Sequence, residues 1–324
     1  MKQFTFIDLF CGIGGFRQAM ESIGGRCVFS CDKNKNVRLT YEANYGEIPE
    51  KNILKIPAES IPSFQVLCGG FPCQPFSTAG KQRGFEDTRG PLFFEIARIL
   101  KYHQPEVVFL ENVDNLARHD EGKTLAVIVN TLENLGYEVH YKILTASDYG
   151  VAQLRKRIYF VCFRKDLSVS FQFPEPLQCD VAVEDFLESD VDEHYYIHNP
   201  DIVFYKPDLT ERIHDTYRMG YIGNIGQGHR IYSVKGLSPT TVATSRGPAG
   251  GTEAFYINGR VRRLTPNEVK RILGFPDNFL FPIPEVRAYE QLGNSVAVPV
   301  LKEIAKKIAA TGVFEDSSIR QSQC

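Results

Sequence analysis

The first half of the chain alternates strand-like and helix-like apolar patterns. Phe4 to Phe10 predicts a strand, residues 16–23 carry apolar side chains at helical spacing, and Cys27 to Ser30 predicts a second strand. Further strands are predicted at 66–68, 107–110, 139–144 and 158–163, and further helices at 91–100 and 125–135. This alternation is typical of an α/β fold with an open, parallel sheet.

Polar or glycine-rich features follow these strands at their predicted carboxyl ends. Gly12-Ile13-Gly14-Gly15 follows the first strand, Asp32 the second and Glu111 the strand at 107–110. Cys73 follows the strand at 66–68 on a turn stiffened by Pro72 and Pro75. Because the carboxyl ends of parallel strands meet at one edge of a sheet, this edge is the predicted active site. If their segment is extended, Arg155 and Arg157 share one face, which puts both guanidiniums either at the mouth of this site or merely in water.

The glycine turn and Asp32 together predict a site for an adenosine-type ligand. Glycines let the backbone approach a ligand, and an acid about twenty residues further on can accept hydrogen bonds from ribose hydroxyls. The turn is Gly-x-Gly-Gly, which weakens the case for a pyrophosphate. The spacing fits either a dinucleotide or S-adenosylmethionine.

The second half contains a basic, glycine-rich module. Residues 218–263 hold seven Arg or Lys against one acid, Glu253, whereas the whole chain has a formal charge of −2. This charge asymmetry favours a polyanionic partner over a merely solvated insertion. A last helix, with apolar residues at 300, 301, 304 and 308, returns the chain to the first domain, so the module is predicted to be an insertion.

Composition excludes several other classes of protein. The 324 residues include no apolar run of 18, and the N-terminus leads directly into a strand, so neither a membrane span nor a signal peptide is expected. Eight cysteines without Cys-x-x-Cys pairs give no disulfide framework and no structural zinc site. A reducing, cytoplasmic setting is expected.

Five motifs in this order resemble the cytosine-C5 DNA methyltransferases, and in length the single-chain bacterial restriction–modification enzymes. They are Asp8-Leu9-Phe10-x-Gly12-x-Gly14-Gly15, Gly70-Phe71-Pro72-Cys73-Gln74-x-Phe76-Ser77, Glu111-Asn112-Val113, Gln153-x-Arg155-x-Arg157 and Gly293-Asn294-Ser295-Val296. The resemblance implies a doubly wound, Rossmann-like methyltransferase domain (residues 1–185 plus 291–324) and a smaller, loop-rich target-recognition domain (residues 186–290) inserted before the C-terminal helix.

The resemblance also implies the chemistry. Cys73 would add to C6 of a flipped-out cytosine, Glu111 would hold N3 and the exocyclic amine, and Arg155 and Arg157 would favour the thiolate. The methyl donor would be S-adenosylmethionine, which leaves as S-adenosylhomocysteine, with no metal; the partner would be double-stranded DNA, and the enzyme a monomer. The implied cofactor contacts are Phe10, Gly12, Gly14, Gly15, Asp32, Asn52, Gly70, Pro72, Leu92, Asn294 and Ser295. The implied DNA contacts are Gln74, Ser77, Lys81, Arg83, Gln227, Arg230, Lys235 and Arg246.

Three residues depart from the family's pattern. Asn52 stands where an acid usually holds the adenine amino group, Lys33 where an aromatic residue often packs on adenine, and Ala152 where proline is common. Gln227 lies between two glycines in the basic module. Its side chain could fill the hole left by a flipped base, or it could simply cap a turn.

Three alternative functions stay open beside the DNA methyltransferase. They are an RNA cytosine methyltransferase of the same fold, a nicotinamide-dependent oxidoreductase and a non-catalytic DNA-binding repressor.

Overall fold

The computed structural model describes residues 3–71, 92–223, 228–241 and 253–315. Several residues implied by the family resemblance lie outside these ranges. They are Pro72, Cys73, Gln74, Ser77, Lys81, Arg83, Gln227 and Arg246.

The main sheet has six strands in the order β2-β1-β3-β4-β7-β5. Strands β1 to β4 are parallel, and β7 runs antiparallel to both of its neighbours. The sheet is therefore mixed, with its four parallel strands carrying the predicted active-site edge. The strands are β1 (Phe4–Leu9), β2 (Gly25–Cys31), β3 (Val66–Gly70), β4 (Val107–Val113), β5 (Tyr137–Thr145) and β7 (Lys156–Arg164); β6 (Gln153–Leu154) lies outside this sheet.

Helices cover both faces of the main sheet, as expected for a Rossmann-like α/β fold. Alternation along β1 sends Phe4 and Phe6 into one apolar core and Ile7 and Leu9 into the other. The first core includes residues of α1 and α7, and the second includes residues of α3 and α4. The helices are α1 (Gly15–Glu21), α2 (Lys35–Tyr45), α3 (Phe93–His103), α4 (Lys123–Asn134), α5 (Pro266–Ile272), α6 (Glu285–Asn294) and α7 (Val298–Ala310).

A second sheet of five strands lies within the predicted insertion, in the order β13-β12-β10-β9-β8. Tyr232 and Phe255 belong to the same apolar core as Phe4 and Phe6, so this sheet packs on the main domain. A short parallel pairing of β11 with β6 joins the two parts as well. The strands are β8 (Ile202–Phe204), β9 (Arg218–Ile222), β10 (Arg230–Ser233), β11 (Ser238–Pro239), β12 (Ala254–Ile257) and β13 (Arg260–Arg263).

The predicted strands and helices of the first half are confirmed, and their ends differ by up to a few residues from the predicted ones. The strand predicted at 107–110 continues as β4 through Glu111 to Val113, because these residues remain paired with β7. The predicted domain boundary at residue 290 falls inside α6. Within the described ranges, every helix is too short or too polar to cross a membrane.

Candidate active site at the carboxyl edge of the main sheet

The turn between β1 and α1 needs glycine at residue 14. Gly14 has φ +84°, and a Cβ there would lie 2.4 Å from the Tyr45 hydroxyl oxygen. That hydroxyl lies 3.1 Å from the Gly14 carbonyl oxygen and 3.2 Å from that of Ile13. A side chain at Gly14 would therefore strain the backbone and displace the tyrosine that holds the turn.

Asp32 joins this turn to the end of β2. Its Oδ2 accepts a hydrogen bond from the Gly12 backbone N–H at 3.1 Å, and its Oδ1 accepts one from the Asn34 N–H at 2.8 Å. Burial raises the pKa of Asp32, although these two N–H groups oppose the rise. The carboxylate is thus held between two loops at the sheet edge, with unused lone pairs on both oxygens.

A cavity of about 510 Å³ opens beside Asp32. Gly12 borders it, and a Cβ on Gly12 would meet nothing within 4 Å among the described residues beyond its chain neighbours, so this glycine faces open space there. Eight of the implied cofactor contacts line the cavity. They are Phe10, Gly12, Gly15, Asp32, Gly70, Leu92, Asn294 and Ser295.

Two other implied cofactor contacts are not among the lining residues. Gly14 packs against Tyr45 and shapes the turn from behind. The Asn52 side-chain oxygen accepts a hydrogen bond from the Leu54 N–H at 3.2 Å and so caps a short 3-10 helix. The Asn52 side-chain oxygen, which stands where the family usually has an acid, therefore already accepts a hydrogen bond from Leu54.

One wall of the cavity comes from α6, of which the sequence analysis placed only Asn294 at the cofactor site. Arg287, Glu290, Gln291 and Asn294 all line the cavity, and their spacing puts them along one side of the helix. The Thr40 hydroxyl of α2 donates to the Gln291 side-chain oxygen at 2.9 Å, and both residues are buried. The helical spacing of these polar residues indicates that they share one side of α6. Nothing in the sequence indicates that this side faces α2.

Glu111 lies at the sheet edge with Arg157. The Arg157 Nε lies 3.0 Å from the Glu111 Oε1, and the Glu111 side chain is only 10% exposed. Burial raises the pKa of Glu111, while Arg157 and Arg155 oppose the rise. A carboxyl group in this setting can hold or release a proton nearer neutral pH than an exposed glutamate.

The end of β3 is fixed against the end of β4. Gly70 pairs with Glu111 in the register of the two strands, and Gly70 precedes Cys73 by three residues. The Asn112 side-chain amide donates to the Phe71 carbonyl oxygen at 2.8 Å. The strand that leads into the Cys73 motif is therefore attached directly to the strand that carries Glu111. Asn112 connects the two strands because its side chain is buried beside Phe71. The sequence motif alone does not reveal this contact.

Arg155 and Arg157 occupy different environments. Arg155 is 2% exposed, and its guanidinium donates to the carbonyl oxygens of Gly293 and Ser295. Burial, with a smaller contribution from Arg157, lowers the pKa of Arg155 to about 10, which leaves it charged at neutral pH. Arg157 pairs with Glu111 at the sheet edge, whereas Arg155 lies neither at the mouth of the site nor in water, because the α6–α7 junction encloses it.

Not every cationic side chain of the basic module is exposed to solvent. Arg262 is 1% exposed and makes two hydrogen bonds to Glu268, at 2.8 and 2.6 Å, so this cation of the module is not exposed to a polyanionic partner. Arg263 pairs with Glu285 at 2.9 Å, and Arg260 stacks on Tyr196 and pairs with Glu193. The Arg230 side chain is 38% exposed. Lys235 is partly exposed and donates to the Thr210 carbonyl oxygen at 2.8 Å.

The sequence matches a known protein family along most of its length. The family model described as C-5 cytosine-specific DNA methylase matches residues 4–310. The chain is 46% identical over 319 residues to the type II methyltransferase M.HhaI of Haemophilus parahaemolyticus, covering 97% of this chain and 98% of that protein. It is 44% identical over 328 residues to the type II methyltransferase M.HpaII of Haemophilus parainfluenzae, covering 95% and 89%.

Solved structures share the fold at lower identity. A mutant of DNMT2 from Spodoptera frugiperda matches with a TM-score of 0.74 at 22% identity, covering 96% of this chain and 100% of that one. A putative DNA modification methyltransferase from an E. coli prophage matches with a TM-score of 0.70 at 21% identity, covering 95% and 99%. Both similarities show that the chain shares the fold of these structures.

Proposed function

This chain belongs to the C-5 cytosine-specific DNA methylases, and from that premise we propose which of its residues carry out the reaction. It is a DNA cytosine-5 methyltransferase. The cavity beside Asp32 binds S-adenosylmethionine, and Cys73 and Glu111 act on a cytosine of double-stranded DNA. One observation carries the proposal: residues from separate motifs, Gly12, Asp32, Glu111 and Ser295, line a single cavity.

The residues around the cavity fit S-adenosylmethionine. A volume of about 510 Å³ is within the usual range for small-ligand sites. The Asp32 carboxylate can accept from both ribose hydroxyls, Phe10 offers an aromatic face to adenine, and Asn294 and Ser295 offer polar groups to the amino-acid portion. When bound, S-adenosylmethionine supplies an electrophilic methyl group, and S-adenosylhomocysteine is released.

Cys73 and Glu111 make carbon 5 reactive. The Cys73 thiolate forms a bond to C6 while Glu111 gives a proton to N3, so that an enamine with electron density at C5 replaces the aromatic ring. C5 takes the methyl group and then loses its proton. As that proton passes to water, the electrons of the C5–H bond restore the C5–C6 double bond, and the Cys73–C6 bond breaks with its electrons returning to sulfur, so that Cys73 leaves as a thiolate. The N3 proton then returns to Glu111. Burial supports the role of Glu111, because it raises the pKa of that carboxyl group.

DNA lies against the predicted recognition domain, residues 186–290. Chemistry at C6 requires a base outside the stack, so the target cytosine is flipped into the site. Arg230 and Lys235 can meet DNA acceptors from this domain, and Gln74, Ser77, Lys81, Arg83, Gln227 and Arg246 complete the proposed contacts. We propose a monomeric, cytoplasmic enzyme that protects DNA in a restriction–modification system, as the similarity to type II methyltransferases supports.

Methyl transfer from tritiated S-adenosylmethionine tests this function. Duplex DNA, the same DNA as separated strands, and tRNA are incubated with the protein in parallel. The proposal expects tritium in duplex DNA, located at carbon 5 of cytosine after digestion to nucleosides. Label in tRNA with none in duplex DNA would favour the RNA methyltransferase and contradict the proposal.

A further inference from the structure

Glu253 adopts a backbone conformation that residues other than glycine rarely adopt. Its φ is +63°, in the left-handed region where a Cβ is strained and glycine is favoured. Residues kept in such conformations are most often held there by their surroundings, and they cluster at binding sites. Glu253 immediately precedes β12 in the basic module.

The Glu253 carboxylate closes the turn that leads into β10. Its Oε2 accepts hydrogen bonds from the backbone N–H groups of Gly228, at 2.8 Å, and Arg230, at 3.3 Å. Its Oε1 lies 3.9 Å from the Arg230 Nη1, and the Glu253 side chain is only 6% exposed. Burial raises the pKa of Glu253, and the two N–H groups and Arg230 oppose the rise.

The same turn is fixed from its other side. The His229 Nδ1 lies 2.8 Å from the Ile222 carbonyl oxygen at the end of β9. Arg230 is thereby held at its backbone N–H, and its guanidinium lies within ion-pair distance of Glu253, while its side chain remains 38% exposed. An exposed cation held in this way has little conformational freedom left to lose when it binds an anion.

We propose that Glu253 is a positioning residue for DNA binding, which holds the 228–230 turn so that the Arg230 guanidinium is oriented toward a hydrogen-bond acceptor of the DNA. This inference rests on the proposed function, in which Arg230 contacts DNA. Glu253 itself does not contact DNA in this account. Its strained backbone persists because the carboxylate makes contacts that glycine at this position cannot make.

Three substitutions separate the side chain from the backbone strain. E253A removes the carboxylate and keeps the strain, E253G removes both, and E253Q retains an oxygen that can accept from Gly228 and Arg230. Glu211, exposed in the same part of the chain, provides the matched control E211A. Each variant is measured as the full chain for its melting temperature, its affinity for S-adenosylhomocysteine and its affinity for duplex DNA.

E253A and E253G are expected to bind duplex DNA about tenfold more weakly than the wild type, the loss that corresponds to about one hydrogen bond to a charged group. E253Q should retain most of the affinity, and S-adenosylhomocysteine binding should be unchanged in all variants. E253G should melt above E253A because glycine adopts φ +63° without strain, yet bind DNA no better. If E253A does not fold, E253G and E253Q carry the comparison.

Two results would overturn the inference. The first is wild-type DNA affinity in E253G. The second is DNA affinity that rises and falls with melting temperature across the variants, which a purely structural role predicts. R230A separates this inference from the proposed function: if R230A also binds DNA normally, the assignment of Arg230 is wrong, whereas weak binding by R230A beside normal binding by E253G removes only the role of Glu253.

Discussion

At the scale of single residues, the Asp32 carboxylate accepts hydrogen bonds from two backbone N–H groups among the described residues, and we expect it to accept from the cofactor as well. Asp32→Ala removes the acceptor for the Gly12 and Asn34 N–H groups and for the ribose hydroxyls. Calorimetry should show that S-adenosylhomocysteine binding weakens by about 1–3 kcal/mol, the range for losing hydrogen bonds to a charged group. Asp190→Ala, at an exposed position, should bind normally. Unchanged affinity in Asp32→Ala would mean that the cofactor does not use this carboxylate.

The proposed role of Glu111 as a proton donor depends on the burial that raises the pKa of its carboxyl group. Glu111→Gln keeps the shape and hydrogen-bonding capacity of the side chain but cannot give a proton to N3. Single-turnover methyl transfer should therefore slow by about 10²–10⁴-fold, the usual contribution of a general acid, while S-adenosylhomocysteine affinity is retained. A variant that turned over at the wild-type rate would exclude Glu111 as the proton donor.

The raised pKa of Glu111 also has a consequence for stability. The folded chain keeps this proton to a higher pH than the unfolded chain, so the free energy of unfolding falls as pH rises from the ordinary glutamate pKa to the raised one. Glu111→Gln lacks this contribution to the fall. Urea unfolding across that range should show the variant gaining stability relative to the wild type as pH increases, and parallel profiles would contradict the direction of the shift.

At the scale of elements, Arg155 joins the start of β7 to the α6–α7 junction. Arg155→Met would leave the Gly293 and Ser295 carbonyl oxygens without this donor and should lower the free energy of unfolding by about 1–3 kcal/mol. Because Ser295 lines the cavity, S-adenosylhomocysteine affinity should fall as well. Arg157→Met is the matched control, and it should slow methyl transfer with less effect on either quantity. Equal effects of the two variants would contradict the separate roles of these arginines.

The elements themselves were largely predictable, whereas their long-range contacts were not. The buried strands β3 and β4 begin as apolar runs, and the glycine turn and Asp32 follow β1 and β2 at the expected places. The α6 wall of the cavity depends on Gln291 meeting Thr40, which is 251 residues away in sequence. Arg262 reads as a free cation until its ion pair with Glu268 is seen, because charge in a sequence carries no information about its partner.

At the scale of the whole molecule, an acidic chain carries a basic module that packs on the catalytic domain. Exchanging residues 186–284 for the equivalent segment of M.HpaII leaves α6 intact, and with it the cavity wall. The chimera should methylate the sequence that M.HpaII recognises, because the proposed function assigns sequence recognition to the exchanged segment. Bisulfite sequencing of methylated plasmid gives the answer. Methylation that remained at the parent's sequence would place specificity outside this segment.

The covalent step is the central claim of the account, and one measurement tests it most directly. The protein is incubated with S-adenosylmethionine and duplex DNA that carries 5-fluorocytosine at the target position, because fluorine cannot leave C5 as a proton does. The account predicts a denaturation-resistant protein–DNA complex, with the DNA attached to Cys73 when the peptide is sequenced, and no complex with Cys73→Ala. A stable complex in Cys73→Ala, or attachment at another residue, would contradict it.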